Sequence, residues 1–209
     1  GDALALKKRT LVWLDMNSCP VPAGVEPGRV RACIESALEK EMGRRYKVTI
    51  FAIGNLEYIS SALLEEIFSS GIFLIHAPCG GSSFGSLLCQ WYEPAATVML
   101  ISCDYSMVNS PLLFGITGSS AFCAYPEDYR APIFDYNVFA KEFVWKTLLK
   151  DNMTTCGEMM MIVNQPPPLC ICDICLETFQ ICGEFITHLK SEEHIEELFG
   201  IVPRDPDSD

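Results

Sequence analysis

Short apolar runs alternate with segments of helical spacing along the first 150 residues, and this alternation constrains the fold more than any other feature. The strand-like runs are residues 10–14, 47–53, 72–75, 98–102 and 121–125, and the helical segments are 28–42, 59–68, 86–92 and 136–149. Strands that alternate with helices form βαβ units with right-handed crossovers. The sequence therefore predicts an α/β fold with a mainly parallel sheet flanked by helices.

Polar residues follow the first apolar run directly. Asp15 and Asn17 stand at its end, where an Asn-Ser-Cys-Pro turn begins. Ligands of open parallel sheets bind beyond the carboxyl ends of the strands, where a carboxylate is well placed to hold a metal ion. The alternative is that both residues only cap or turn the chain, and spacing alone supports the two interpretations equally.

The same stretch resembles a known family. LVWLDMNSCPVPAGVEPGRVRACIESAL is similar to the opening of the NYN domain, the branch of the PIN-like nuclease superfamily found in limkain-type (meiosis-arrest-female type) proteins and their plant relatives. The resemblance continues through VTIFAIGN, SSGIFLIHAP, VMLISCD and AFCAYP, and covers residues 9–149. It implies a PIN-like, Rossmann-like domain over that range.

The resemblance also implies a metal site of which only part is present. PIN-like nucleases gather three or four carboxylates around one or two divalent metals that activate water. Asp15 matches the first acid, and Asp104 in LISCD matches the Asp of the LISGD motif. Ser86 and Ser106 stand where further acids are expected. Two carboxylates and the amide of Asn17 can hold one Mg²⁺ or Mn²⁺ weakly, so we expect a remnant catalytic site.

Three functions fit this remnant. The favoured one is a degenerate NYN domain, a pseudoenzyme that acts in RNA metabolism or regulation of gene expression through protein contacts, with RNA as a further partner. The second is an active Mg²⁺- or Mn²⁺-dependent endoribonuclease that recruits Asp128, Asp135 or Glu93. The third is a pure protein-binding adaptor. We expect His76 to be a satisfied or partly exposed residue at a strand end rather than a catalytic base.

The most specific motif lies near the end of the chain. Two cysteines and two histidines have the spacing of a zinc finger in Cys172, Cys175, His188 and His194. Phe179 and Phe185 occupy the packing positions of a ββα unit, in which a hairpin supplies the thiolates and a helix the imidazoles. So small a unit folds only when Zn²⁺ binds. Cys170 is a competing ligand with poorer spacing.

The residues of the predicted finger helix bear on its partner. Ile181, Glu184 and Thr187 fall at the positions that read bases in DNA-binding fingers, and none is Arg, Lys, Asn or Gln. Sequence-specific DNA recognition is therefore disfavoured. We expect the finger to bind protein, with Ile195 and Leu198 as contacts.

Charge and composition divide the chain further. Residues 151–209 contain 12 Asp or Glu and 2 Lys or Arg, which opposes binding of a phosphate backbone by this part. We predict a NYN domain at 9–149, a Met- and Pro-rich linker at 150–169, the finger at 170–199 and a disordered acidic tail at 200–209.

The cysteines and the hydropathy bear on location. The chain has 11 cysteines without a regular framework, no apolar run of about 18 residues and no visible secretory signal. We therefore expect reduced thiols, no membrane insertion and a cytoplasmic or nuclear location. The family resemblance adds the peroxisome or another organelle as an alternative.

Overall fold

A computed structural model describes residues 9–43, 47–78, 81–91, 97–108, 121–129, 139–153 and 166–201. The strands are β1 (Arg9–Asp15), β2 (Lys47–Gly54), β3 (Phe73–His76), β4 (Thr97–Ile101), β5 (Ala121–Tyr125), β6 (Lys141–Val144), β7 (Cys170–Cys172) and β8 (Glu177–Phe179). The helices are α1 (Val30–Met42), α2 (Ser61–Ser69), α3 (Gly81–Gln90), α4 (Tyr105–Val108), α5 (Trp145–Asn152), α6 (Cys182–Leu189) and α7 (Glu192–Ile201), and short 3-10 turns lie at Pro27–Arg29 and Leu56–Tyr58.

The described strands form one eight-stranded sheet in the order β6-β5-β4-β1-β2-β3-β7-β8. All neighbouring strands are parallel except β8, which runs antiparallel to β7. This confirms the predicted α/β class with a mainly parallel sheet. The chain runs outward from β1 to β3 and then returns to the other side of β1 with β4. The crevice between β1 and β4 is therefore a topological switch point, where ligands of such sheets bind.

Alternate residues of each central strand point to opposite faces and build two apolar cores. Val12 and Leu14 pack with α1, α2, α5 and α6 on one face. Leu11 and Trp13 pack with α3 and α4 on the other. The indole of Trp13 stacks on the Phe51 ring with centroids 4.4 Å apart, which joins β1 to β2 within the second core.

Two predicted helices differ from those observed. The prediction of a helix at 136–149 is wrong over 141–144, because these residues form β6 beside β5. Residues 136–138 lie outside the described part. Apolar side chains in this short stretch satisfy helical and strand spacing alike, and pairing with β5 decides between them. The helix predicted at 86–92 is observed at Gly81–Gln90, so it begins five residues earlier than predicted.

The predicted hairpin of the finger is present, and it belongs to the main sheet. β7 pairs in parallel with β3, so that Leu74 lies opposite Cys170 and His76 opposite Cys172. Backbone bonds extend this pairing at both ends, from Leu74 N–H to the Leu169 carbonyl at 3.1 Å and from Asp173 N–H to the His76 carbonyl at 2.9 Å. The hairpin therefore covers what would otherwise be the open edge of β3.

The single helix predicted after the hairpin is two helices, with His188 on α6 and His194 on α7. Ser191 lies at the break. Its hydroxyl donates to the His188 carbonyl at 2.7 Å and accepts from the His194 N–H at 3.2 Å. A serine that satisfies a free N–H at a helix start is a typical N-cap, and it starts α7 in a new direction.

Other predictions fall partly outside the described residues. Of the predicted linker at 150–169, residues 154–165 are outside, and 150–152 end α5. The predicted tail begins within α7, and residues 202–209 are outside. Glu93 and Asp135 also lie outside. In the described part of the chain, no helix combines the length and the apolarity that crossing a membrane requires.

Candidate functional site

A cleft of about 300 Å³ opens at the switch point of the sheet. Its walls come from the ends of β1, β2 and β3 and from the residues after β4, and they comprise Asp15, Asn17, Ser18, Ile53, Gly54, Ala77, Pro78, Asp104 and Met107. The structure thus brings all three residues of the predicted acidic site into one cleft. Their hydrogen bonds show what each of them does there.

Both carboxylate oxygens of Asp15 are used within the fold. Oδ1 accepts the backbone N–H groups of Asn17 at 3.0 Å and Ser18 at 3.3 Å. Oδ2 accepts the hydroxyls of Ser18 at 2.6 Å and Ser102 at 2.7 Å. Only 4% of Asp15 is exposed. A cation that bound these oxygens would have to displace hydrogen bonds that hold the turn after β1 against the end of β4.

Asp104 caps a helix. Its Oδ1 accepts the N–H groups of Ser106 at 2.9 Å and Met107 at 3.3 Å, as well as the Ser106 hydroxyl. These bonds satisfy N–H groups at the start of α4. Ser106, which stands where the resemblance leads us to expect an acid, therefore donates to Asp104. Among the described residues, neither Asp15 nor Asp104 belongs to a group of three acids, histidines or cysteines close enough to share an ion.

Asn17 clamps the loop after β2. Its Oδ1 accepts the Asn55 N–H at 2.7 Å, and its Nδ2 donates to the Asn55 carbonyl at 3.3 Å. The backbone of Gly54 passes close to the Asn17 amide: a Cβ built at Gly54 would lie 2.3 Å from Asn17 Oδ1. Gly54 also has a φ of +143°, a backbone conformation that residues with a Cβ rarely adopt. The amide thus fixes the backbone that leads into the Leu56–Tyr58 turn.

This close approach predicts that Gly54→Ala destabilises the protein by about 2–4 kcal/mol, because it combines backbone strain with a side-chain clash. Gly28→Ala is the matched control, since a Cβ at Gly28 meets no atom within 4 Å. Urea unfolding of both variants measures the difference. Equal stabilities would contradict the clamp.

The four residues of the Cys/His motif converge beside the end of β3. One ligand atom from each of Cys172, Cys175, His188 and His194 lies within 4.8 Å of all the others, so together they could hold a metal ion. His194 Nδ1 is 3.6 Å from the Cys172 sulfur and 3.4 Å from the Cys175 sulfur. The Cys175 N–H points at the Cys172 sulfur at 3.5 Å. These residues come from β7, the turn after it, α6 and α7.

The donor set fits a tetrahedral ion. Zn–S bonds of about 2.3 Å and Zn–N bonds of about 2.0 Å at tetrahedral angles place sulfur and nitrogen about 3.5 Å apart. The two distances from His194 Nδ1 lie on either side of that value. His188 Nε2 is buried and has no hydrogen-bond partner among the described residues. A bound cation would supply the partner that this nitrogen lacks.

Cys170, the competing ligand, faces elsewhere. Its thiol forms a hydrogen bond with that of Cys182 at the start of α6, and it belongs to no metal-binding group within the described ranges. Burial raises the pKa of the Cys170 thiol, and the neighbouring Cys182 raises it further. Cys170 thus stays a neutral residue of the core, while Cys172, two positions along β7, joins the cluster.

Two residues outside the motif border the cluster. Glu57 Oε1 lies 2.8 Å from His194 Nε2, and His76 packs on the His194 ring with centroids 5.2 Å apart. His76 is fully buried, and its Nδ1 accepts the Leu56 N–H at 3.2 Å. Burial, together with His194 and His188, lowers the pKa of His76 to about 4. No motif in the sequence identifies Glu57, because only the pairing of β7 with β3 brings it near.

The residues proposed as partner contacts lie on the surface. Ile195 on α7 is 41% exposed and Leu198 is half-buried. The three positions that read bases in DNA-binding fingers are exposed to solvent on or beside α6. They carry Ile181, Glu184 and Thr187, and none of these side chains is one that reads bases.

No model of a known protein family matches this chain, and none of the curated proteins compared with it matches either.

Proposed function

We propose that this protein is a catalytically degenerate, NYN-type PIN-like protein that acts in RNA metabolism or regulation of gene expression by binding protein partners, with RNA as a second candidate partner. The observation that carries the proposal is the hydrogen bonding of Asp15. Its two oxygens accept four bonds from the fold, and Asp104 caps α4. Residues that a nuclease would use to hold its metal thus serve the structure of the loops.

Zinc at the Cys/His cluster is the second part of the proposal. Two thiolates and two imidazoles form a closed structural site with no position left for water or substrate. Such an ion stabilises the fold and takes no part in a reaction. The exposed, acidic α7 then offers a surface for a protein that carries complementary positive charge.

The competing function is an active endoribonuclease, which is favoured by the position of the cleft at the switch point. Cleavage of labelled single-stranded RNAs with Mg²⁺ or Mn²⁺ separates the two functions. We expect the zinc-loaded protein to cleave no faster than its Asp15→Asn/Asp104→Asn variant. Metal-dependent cleavage that disappears in the variant would overturn the proposal.

A further inference from the structure

Glu57 stands at the junction between the α/β part of the chain and the Cys/His cluster. It lies in the 3-10 turn Leu56–Tyr58 after β2, and its N–H is capped by the Asn55 side chain at 3.2 Å. The Asn55 backbone is in turn clamped by Asn17. The backbone of Glu57 is therefore held by the end of the sheet and not by the Cys/His segment.

The contact with Glu57 determines which nitrogen of His194 carries a proton. A carboxylate oxygen accepts hydrogen bonds, so the His194 Nε2 that lies 2.8 Å from Glu57 Oε1 is the protonated nitrogen. The lone pair of the neutral ring then lies on Nδ1. That is the atom that faces the sulfurs of Cys172 and Cys175 at 3.6 and 3.4 Å.

His188 has the opposite arrangement. Its Nδ1 lies 3.5 Å from Glu177 Oε2, and its buried Nε2 has no hydrogen-bond partner in the described part of the chain. Its carboxylate neighbour comes from β8, within the Cys/His segment. The carboxylate at His194 comes from a residue 137 positions earlier in the chain.

His76 closes the other side of the Glu57 carboxylate. Because its Nδ1 accepts the Leu56 N–H, its proton lies on Nε2, which is 3.8 Å from Glu57 Oε1. This distance is too long for a hydrogen bond. Two imidazole N–H groups thus face one carboxylate oxygen beside the cluster.

We propose that Glu57 is a positioning residue of the zinc centre. It fixes His194 in the tautomer that binds the metal through Nδ1. The centre then links the sheet, which carries Glu57, to the Cys/His segment. The inference rests on the zinc site of the proposed function. Hydrogen bonds from metal-bound histidine to a carboxylate orient the ring and make it a better ligand, and their loss weakens metal binding about 10–100-fold.

The test measures zinc affinity by competition with a chelator, using the whole chain. We expect Glu57→Ala to weaken zinc binding about 10–100-fold. Glu57→Gln, which keeps an acceptor oxygen but not the charge, should fall between Glu57→Ala and the wild type. Glu66→Ala on the exposed face of α2 is the matched control and should leave the affinity unchanged. Equal affinities for Glu57→Ala and Glu66→Ala would overturn the inference.

Long-range ¹H–¹⁵N spectra of the zinc-loaded wild type give a readout that needs no variant. We expect His194 to be metal-bound at Nδ1 and protonated at Nε2, and His188 to be metal-bound at Nε2. Binding of His194 through Nε2 would overturn the inference while leaving the zinc site intact. If the wild type binds no zinc at all, the zinc part of the proposed function itself fails, which is a different result from either.

Discussion

Cys172→Ser is expected to unfold the last part of the sheet. Structural zinc sites contribute about 10–16 kcal/mol of binding free energy, comparable to the entire net stability of about 5–15 kcal/mol that a domain usually has. Cys172 is also the last residue of β7, the strand that covers β3. Its loss should therefore release β7, β8, α6 and α7 and open the edge of β3.

Hydrogen exchange followed by mass spectrometry measures this effect. We expect amides of residues 170–189 and of β3 to lose protection in Cys172→Ser, and the same change in the wild type when zinc is removed with a chelator. Cys89→Ser, at an exposed cysteine of α3, is the matched control. Unchanged protection of β3 in Cys172→Ser would show that the hairpin holds its place without metal.

Asp15→Ala is expected to destabilise the protein by about 3 kcal/mol, since the donors that Asp15 satisfies would lose their acceptor in a buried place and each such loss costs about 1–3 kcal/mol. The partly compensating factor is that the hydroxyls of Ser18 and Ser102 can rotate toward other acceptors. Urea unfolding with zinc present gives the value.

Asp104→Ala is the comparison for Asp15→Ala. Loss of a helix N-cap costs about 1 kcal/mol, so the two acids of the cleft should differ clearly in stability. A catalytic carboxylate behaves differently. Active sites are strained, so substitution of a catalytic carboxylate often stabilises the protein. A more stable Asp15→Ala variant would therefore indicate a working site.

The parallel sheet could be predicted from sequence because its central strands are apolar runs that end in polar turns. Each of β1 to β5 overlaps a predicted run. β6 could not be predicted, because its side chains fit a helix equally well and its neighbour β5 decides. The break between α6 and α7 depends on the capping bonds of one serine. It could not be predicted, because a continuous helix would have the same apolar spacing.

The candidate sites differ in the same way. The spacing of two cysteines and two histidines was sufficient to predict which side chains converge. Glu57 was not predictable, because its distance from His194 depends on β7 adding to β3, and hairpin spacing carries no information about which edge it joins. The role of Asp15 was open for a related reason. A metal ligand and a cap at a strand end look alike in sequence, and only the partners of its oxygens distinguish them.

The thermal stability of the zinc-loaded wild type, measured with and without Mn²⁺, shows directly whether the cleft binds a metal ion. An ion that binds the native cleft raises stability by about 2.7 kcal/mol at 100 times its dissociation constant. We predict no shift in Tm on adding Mn²⁺, and the same result for Asp15→Asn/Asp104→Asn. A rise in Tm of the wild type that the double variant lacks would show that Asp15 and Asp104 bind metal, and would contradict the assignment of the cleft as a degenerate site.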